Sequence, residues 1–228
     1  MTILHGGFDI RDIAIVDDNQ ARRDTLSEDL EWEELMPHPL EGPFTTPQNL
    51  LIEMKQTSQA VVCDHNLSPR NYAAFTGAEL AAYCYDHRFP SVLVTRWSTE
   101  YIAAIRPYRS RIPVLLTPLE ATVERLLAGF QECIDEIDGQ LRPSRRSWQT
   151  LVRIERVDSE DKPEKCMVDA IVPAWDAPNG DDGIRLPLTM FPENLRSHVR
   201  DGSRFFAQVN LGAERHEDLF LTNFDFRG

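Results

Sequence analysis

The stretch AVVCDHNLSP, residues 60–69, decides the fold of the first part of the chain. Four apolar residues lead directly into Asp64, and Pro69 interrupts any regular element a few residues later. A short and continuously apolar run is typical of a strand that is buried on both faces of a parallel sheet. We therefore expect Asp64 to stand at the carboxyl end of a buried strand, where it either caps a turn or belongs to a site.

Similar apolar runs occur before and after this strand. Strands are predicted at 13–19 (IAIVDDN), 36–40, 60–64, 91–95 (SVLVT) and 112–116 (IPVLL). Amphipathic helices are predicted at 20–32, after Pro47, at 77–87 and along the last apolar stripe, which begins at Leu119. The pattern Thr117-Pro118-Leu119-Glu120 is typical of a capping box and predicts the start of that last helix. Alternating strands and helices predict a doubly wound parallel sheet with helices on both faces.

Polar residues end several of these strands. Asp17 and Asp18 end the first strand, Asp64 ends the third, Thr95 ends the fourth and Thr117 ends the fifth. The carboxyl ends of parallel strands meet at one edge of the sheet, and open α/β sheets bind their ligands there. Three carboxylates at one edge repel one another unless a cation lies among them, and such oxygen ligands suit Mg²⁺. Taken singly, the acidic pair could instead cap the following helix.

This constellation, over residues 10–141, resembles the receiver domain of bacterial two-component response regulators, a flavodoxin-like fold with five parallel strands. The resemblance implies that Asp64 is the phosphoacceptor. It implies that Mg²⁺ is held by Asp17, Asp18 and Asp64 together with the main-chain carbonyl of Asn66, and that Thr95 contacts the phosphoryl group. Asp64 would then attack phosphorus as a nucleophile while the metal neutralises the developing charge.

The sequence departs from the pattern of that family in three places. The family has a phosphate-contacting lysine where this chain has Thr117, whose hydroxyl offers the phosphoryl group only a neutral hydrogen bond. The aromatic residue that the family carries on the fifth strand falls near Val114. The loop from Asp64 to Gly77 is longer than is usual in the family, and Arg70 in that loop, or Arg96 after the fourth strand, could supply the missing positive charge.

The chain changes character near residue 142. Residues 1–141 hold 11 basic and 22 acidic side chains and residues 142–228 hold 13 and 15, so their net charges are −11 and −2. The polar stretch RPSRRS, 142–147, contains a proline and predicts a linker between two domains. Short alternating strands follow, with NG and DG turn signals within 176–183, so residues 148–228 predict a small, mostly β barrel of the SH3-like or OB-like type.

Composition narrows the possible classes of protein. A net charge of −13 makes a phosphate-backbone partner, and hence nucleic acid, an unfavourable main target. No basic and apolar leader and no apolar run of about 18 residues is present, so we expect a cytoplasmic protein without a membrane span. The cysteines form no CxxC pair and lie in apolar segments, which favours buried free thiols over disulfides or a metal site: Cys63, Cys84, Cys133 and Cys166.

These features favour an atypical response-regulator-like signalling protein, not an enzyme, whose output is a protein–protein interaction through the barrel. The expected partner is a histidine kinase or a downstream effector. The alternative is a pseudo-receiver adaptor that is never phosphorylated and bridges a larger protein assembly. A weaker alternative is an OB-like output domain that binds single-stranded nucleic acid through four phenylalanines that also suit a barrel core, Phe205, Phe206, Phe220 and Phe224. A phosphoester hydrolase is disfavoured. Phosphatases of the haloacid-dehalogenase type would use a second aspartate two residues after Asp64, and this chain has Asn66 there.

Overall fold

The computed structural model describes residues 10–96, 99–158, 165–176 and 183–226, so the turn signals within 176–183 lie largely outside the described residues. The chain divides into two compact units. The first unit lies within Met1–Trp97 and Arg111–Gln140, and the second within Ser98–Ser110 and Leu141–Gly228. The second unit is therefore discontinuous in sequence, because it includes the segment between the fourth and fifth strands.

The first unit is built around a parallel sheet. Its strands are β1 (Asp12–Val16), β2 (Met36–Pro39), β3 (Ala60–Asp64), β4 (Ser91–Val94) and β5 (Val114–Leu116). The α-helices of the described residues are α1 (Gln20–Trp32), α2 (Pro47–Thr57), α3 (Gly77–Asp86), α4 (Thr99–Ile105) and α5 (Val123–Ile137), of which α4 belongs to the second unit. The strand order β2-β1-β3-β4-β5 is the flavodoxin-like order, which confirms the predicted doubly wound sheet.

Strands β1 and β3 pair in parallel at the centre of this sheet. Their register runs from Ile13 opposite Ala60 to Val16 opposite Cys63, and the eight residues in this register are at most 4% exposed. Burial of both faces explains why these strands are apolar without alternation. The register also sets the site, because the next residue along each strand is an aspartate at the same edge of the sheet.

The last helix begins later than the sequence predicts. The N–H of Thr117 donates to Oε2 of Glu120 (2.7 Å) and the N–H of Glu120 donates to Oγ1 of Thr117 (3.3 Å), so the capping box forms. It closes a turn, however, and α5 starts at Val123 with Thr122 as its side-chain cap. Leu119 is 94% exposed and lies outside the helix. The helix starts late because Thr122 offers a second cap directly before the apolar residues that enter the core.

The second unit contains an antiparallel sheet. Its strands are β6 (Trp148–Val157), β7 (Met167–Ile171), β8 (Gly183–Pro187), β9 (Arg204–Val209) and β10 (Leu221–Asp225). The order is β10-β9-β6-β7-β8, and every neighbouring pair is antiparallel. Buried and solvent-facing residues alternate along the middle of β6, as expected for a sheet with one covered face. The structure thus supports a small β domain, and the SH3-like or OB-like type stays a prediction.

The phenylalanines of the second unit contribute to its core. Phe205 is 1% exposed and its ring centroid lies 5.3 Å from that of Phe191. Phe220 is buried, Phe224 packs against the same core, and Phe206 is half-buried. Stacking on bases needs an accessible ring face. The packing of Phe205 and Phe220 therefore favours a structural role for them.

Short 3-10 helices complete the described chain. They span Pro69–Asn71, Arg106–Arg111, Pro143–Arg145, Leu188–Met190, Glu193–His198 and His216–Asp218. The helix Pro143–Arg145 lies in the segment 142–147 that the sequence predicts as a linker. Arg145 is 5% exposed and donates to the carbonyls of Arg109 (3.1 Å) and Ser110 (2.7 Å). Arg145 therefore contacts other residues of the second unit, and the linker at 142–147 stays a prediction.

Two further expectations concern the whole chain. All four cysteines are free and buried, as predicted. Within the described ranges, no helix combines the length and the apolar composition that crossing a membrane requires.

Candidate functional site

The structure brings the three predicted aspartates together. One side-chain oxygen from each of Asp17, Asp18 and Asp64 can be chosen so that all three lie within 4.8 Å of one another. Asp17 and Asp18 follow β1 and Asp64 ends β3, so the cluster stands at the carboxyl ends of two central strands. The strand order reverses between these two strands, and open α/β sheets bind their ligands at such a switch point.

Main-chain N–H groups orient two of the carboxylates. Asp17 accepts through Oδ1 from the N–H of Asn19 (2.7 Å), and Asp64 accepts through Oδ2 from the N–H of Asn66 (2.9 Å). Each bond reaches two residues along the chain, which is the geometry of an Asx turn. These turns use one oxygen of each carboxylate and leave Oδ2 of Asp17 and Oδ1 of Asp64 to face other groups.

A glycine allows the next helix to start against the main chain of Asp64. The N–H of Gly77 donates to the carbonyl of His65 (2.9 Å), and a Cβ placed on Gly77 would stand 1.9 Å from the carbonyl oxygen of Asp64. Only glycine, which has no side chain, allows the start of α3 to come this close to the carbonyl of Asp64. Helix α3 is then fixed by a capping box between Thr76 and Glu79. The glycine and the capping box therefore set where α3 begins beside the end of β3.

Two arginines on α1, Arg22 and Arg23, reach the acidic cluster, and neither contact was predicted from the sequence. Nη1 of Arg22 lies 3.8 Å from Oδ2 of Asp17 and 4.0 Å from Oδ1 of Asp64. Nη1 of Arg23 donates to the main-chain carbonyl of Asp17 (2.6 Å), and its guanidinium lies 5.5 Å from the ring centroid of Tyr72. The sequence did carry a signal for these contacts. The helix dipole disfavours cations in the first turn of a helix, yet two arginines stand there, shortly after an acidic pair that could attract them.

Of the two arginines proposed from the sequence, Arg70 reaches the edge of the site. Its Nη1 donates to the main-chain carbonyl of Asp18 (3.0 Å), and its φ of 61° places it in the left-handed region. The observed contact of Arg96 is through its main chain, because its carbonyl accepts a hydrogen bond from the hydroxyl of Thr95 (3.3 Å). The long loop after β3 thus turns Arg70 back toward the acidic pair.

Burial and mutual repulsion make the cluster electrostatically unfavourable without a cation. Burial, followed by the charge of Asp17, raises the pKa of Asp64 to about 6, although the N–H of Asn66 and the charge of Arg22 act in the opposite direction. Burial also raises the pKa of Asp17, against the opposing effects of Asn19 and Arg22. A cation bound among these carboxylates would stabilise their charged forms and so lower the pKa of both Asp17 and Asp64.

The donor set fits Mg²⁺. It consists of carboxylate oxygens from Asp17, Asp18 and Asp64, and hard divalent cations prefer oxygen ligands. Mg²⁺ keeps several water ligands in most protein sites, and Asp17 and Asp64 are each only partly buried. The residues present could therefore hold the ion at the surface end of the sheet.

The two predicted threonines stand at the ends of their strands, but their hydroxyls differ in surroundings. Thr95 follows β4, is 2% exposed, and donates its N–H to the carbonyl of Leu116 (2.9 Å). The hydroxyl of Thr117 donates to Oε2 of Glu120 (2.9 Å). Thr117 is thus already engaged in the capping box. Val114 lies buried on β5.

Comparison with known proteins finds similarity only at the level of solved structures. No protein-family model matches the chain, and no curated protein matches it. The chain is similar to NtrX from Brucella abortus, at 16% identity and a TM-score of 0.42, over 57% of this chain and 28% of NtrX. It is also similar to the beryllofluoride-activated NtrC4 receiver domain dimer, at 17% identity and a TM-score of 0.40, over 55% of this chain and 97% of that one.

A third similar structure is the signal receiver domain of an HD domain-containing protein from Pseudomonas fluorescens Pf-5. The identity is 16% and the TM-score 0.43, over 60% of this chain and 97% of that domain. The chain thus spans less than a third of NtrX but nearly all of the two isolated receiver domains.

Proposed function

We propose that this chain is an atypical receiver-type signalling protein in which Asp64 accepts a phosphoryl group. Asp17, Asp18 and Asp64, with the main-chain carbonyl of Asn66, hold Mg²⁺. The observation that carries the proposal is the convergence of three carboxylates at the β1/β3 switch point of a flavodoxin-like sheet.

The chemistry assigned to Asp64 is nucleophilic substitution at phosphorus. One carboxylate oxygen forms a bond to phosphorus, the bond from phosphorus to the donor breaks, and the leaving group takes the bonding electrons. The attack requires an ionised carboxylate, and a pKa of about 6 leaves Asp64 mostly ionised at neutral pH. The N–H of Asn66 fixes the orientation of the group. Mg²⁺, when bound, supplies neutralisation of the charge on the phosphoryl oxygens.

The proposed output is an interaction of the second unit with a protein partner, either a histidine kinase or a downstream effector. Support comes from the path of the chain beyond Thr95, the residue proposed to contact the phosphoryl group. Helix α4 begins four residues after Thr95 and belongs to the second unit. A shift at the carboxyl end of β4 would therefore act on chain that leads directly into the second unit.

A pseudo-receiver adaptor is the second candidate, and a specific observation favours it. The hydroxyl of Thr117 is engaged with Glu120, and Val114 stands where an aromatic ring would follow a moving Thr95. A site of this kind could hold Mg²⁺ and never be phosphorylated. In that case the chain would bridge a larger protein assembly in a single state.

Intact-mass analysis separates the two candidates. The full chain is incubated with acetyl phosphate, with Mg²⁺ or with EDTA, and Asp64→Asn is treated in parallel. A receiver gains one phosphoryl group only with Mg²⁺ and only when Asp64 is present. Asp12→Asn, at the opposite end of β1, is the matched control and should be modified like the wild type. An unmodified wild type would refute phosphorylation by this donor and leave the adaptor as the better candidate.

A further inference from the structure

The proposed site lacks enough positive charge for a phosphoryl group. Phosphorylation of Asp64 replaces its carboxylate charge with nearly two negative charges at neutral pH, beside the carboxylates of Asp17 and Asp18. One Mg²⁺ balances only two of these charges, and Thr117 can offer no more than a neutral hydrogen bond. Charge-assisted hydrogen bonds are about twice as strong as neutral ones. A second positive charge near Asp64 would therefore strengthen the binding of a phosphoryl group.

Arg22 lies where such a cation is needed. Its Nη1 approaches Oδ2 of Asp17 (3.8 Å) and Oδ1 of Asp64 (4.0 Å). These are the two oxygens that the Asx turns with Asn19 and Asn66 do not use. Both distances exceed the length of a hydrogen bond, and the Arg22 side chain is 42% exposed, so the guanidinium is attracted to the carboxylates without being fixed by them.

The neighbouring arginines are held differently. Arg23 is 8% exposed and is committed to the main-chain carbonyl of Asp17 and to the ring of Tyr72. Arg70 donates to the main-chain carbonyl of Asp18, from a residue with a left-handed backbone. Both arginines therefore bind main-chain carbonyls. Only the Arg22 guanidinium, of these three, is described in contact with the carboxylates themselves.

The stability of α1 gives no reason for an arginine at position 22. It is the third residue of the helix, and the positive end of the helix dipole disfavours a cation there. The residues three and four positions further on, where a helical partner would stand, are Thr25 and Leu26. Its observed carboxylate partners, Asp17 and Asp64, both belong to the cluster.

We propose that Arg22 is the residue that contacts a phosphoryl group on Asp64, in place of the absent lysine. Without a phosphoryl group, the same guanidinium lies over the oxygens of Asp17 and Asp64 and competes with Mg²⁺ for them. This inference rests on the proposed function. It assigns Arg22 two opposite effects, since the residue weakens metal binding and strengthens binding of the phosphoryl group.

The test uses two titrations of the full chain. The first follows the melting temperature as Mg²⁺ is added, because a ligand that binds the native state raises stability by mass action. The second adds beryllofluoride, a phosphoryl mimic, at saturating Mg²⁺. The variants are Arg22→Gln, which removes the charge, and Arg22→Lys, which keeps it. The matched control is Arg111→Gln, because Arg111 is 40% exposed and pairs with Asp86 on the surface.

Arg22→Gln is expected to bind Mg²⁺ more tightly than the wild type, by up to about fivefold, because a competing charge at about 4 Å is removed. It is expected to bind beryllofluoride about tenfold or more weakly, because a charge-assisted contact is lost. Arg22→Lys should fall between the wild type and Arg22→Gln in the second titration. Arg111→Gln should match the wild type in both.

The outcomes separate this inference from the proposed function. If the wild type does not respond to Mg²⁺ and beryllofluoride, the proposed function fails before any variant is considered. If the wild type responds and Arg22→Gln binds beryllofluoride equally well, Arg22 does not contact the phosphoryl group. Equal weakening of both ligands would show that Arg22 merely supports the fold of the site, and would also overturn the inference. Should Arg22→Gln misfold, Arg22→Lys alone decides, because a loss of beryllofluoride binding smaller than about tenfold supports a charge contact and an equal or larger loss contradicts it.

Discussion

Arg109 and Asp218 form an ion pair inside the second unit, with Nη2 of Arg109 2.7 Å from Oδ1 of Asp218. The Arg109 side chain is only 3% exposed. Burial acts to raise the pKa of Asp218, but the charges of Arg109 and Arg215 outweigh it and lower that pKa. This pair joins the segment that follows α4 to the 3-10 helix His216–Asp218, 109 residues further along the chain.

Replacement of Asp218 by asparagine should destabilise the protein strongly. The change removes the negative charge that Arg109 faces, and breaking a buried ion pair typically costs about 3–5 kcal/mol. Urea unfolding at pH 7 measures the loss. Asp169→Asn is the matched control, because Asp169 pairs with Arg156 and Arg185 at the surface and should cost at most about 1 kcal/mol. Equal losses for the two variants would show that burial of the Arg109 pair adds nothing.

A fragment of residues 1–141 should fold poorly, although the change in charge and sequence texture suggests a domain boundary there. The fragment keeps Ile105, Arg106 and Arg109 but loses the residues that bury them, among them the carbonyl of Leu219, which accepts from Nη1 of Arg106 (2.8 Å). A second fragment, in which a Gly/Ser linker of equal length replaces residues 98–110, should unfold more cooperatively. Circular dichroism melts and light scattering compare the two. Sharp, reversible melting of both would indicate that the segment folds with the first unit.

Replacement of Asp64 by asparagine should stabilise the protein at pH 8 when EDTA removes metal. Burial and Asp17 raise the pKa of Asp64 to about 6 in the native state, above its usual value of 3.8. The native state then binds the proton more tightly than the unfolded state, so stability falls as the pH rises from about 4 to about 6. The ionised group costs roughly 2–3 kcal/mol above that range, and asparagine avoids this cost.

Urea unfolding of both proteins at pH 4, 6 and 8 measures this difference. The gain of Asp64→Asn should be near zero at pH 4 and largest at pH 8. Saturating Mg²⁺ should reduce or reverse the gain, since the metal stabilises mainly the wild type. A variant that is less stable than the wild type at pH 8 in EDTA would contradict the electrostatic account of the cluster.

The sequence predicted the structure correctly where the local residue pattern and the burial of the segment favour the same element. The run AVVCD forms β3 with its predicted bounds, and α1 spans the predicted 20–32. The approach of Asp17, Asp18 and Asp64 also followed from the sequence, because parallel strands bring their carboxyl ends to one edge. For β3 and α1, the property that sets the structure, apolar continuity or a cap, lies within a few residues of the element.

The features that were not predicted from the sequence depend on contacts between residues that are distant along the chain. Helix α4 was not predicted, and neither was the burial of Arg106 and Arg109, which lie among main-chain carbonyls and a carboxylate from residues 216–219. Arg22 was missed because its partners are defined by the sheet register and not by helical spacing. The start of α5 was placed too early because two threonines compete to cap it, and only packing of the apolar stripe decides between them.

The discontinuity of the second unit limits how this protein can be recombined with others. A gene fusion that grafts residues 141–228 onto a foreign partner would leave behind α4 and the arginines of the segment 98–110, which belong to the same compact unit. Conversely, a foreign domain exchanged for residues 10–141 would remove α4 and these arginines from the second unit. Transplantation therefore needs two crossovers within the gene, on either side of residues 98–110, in addition to the one near residue 141.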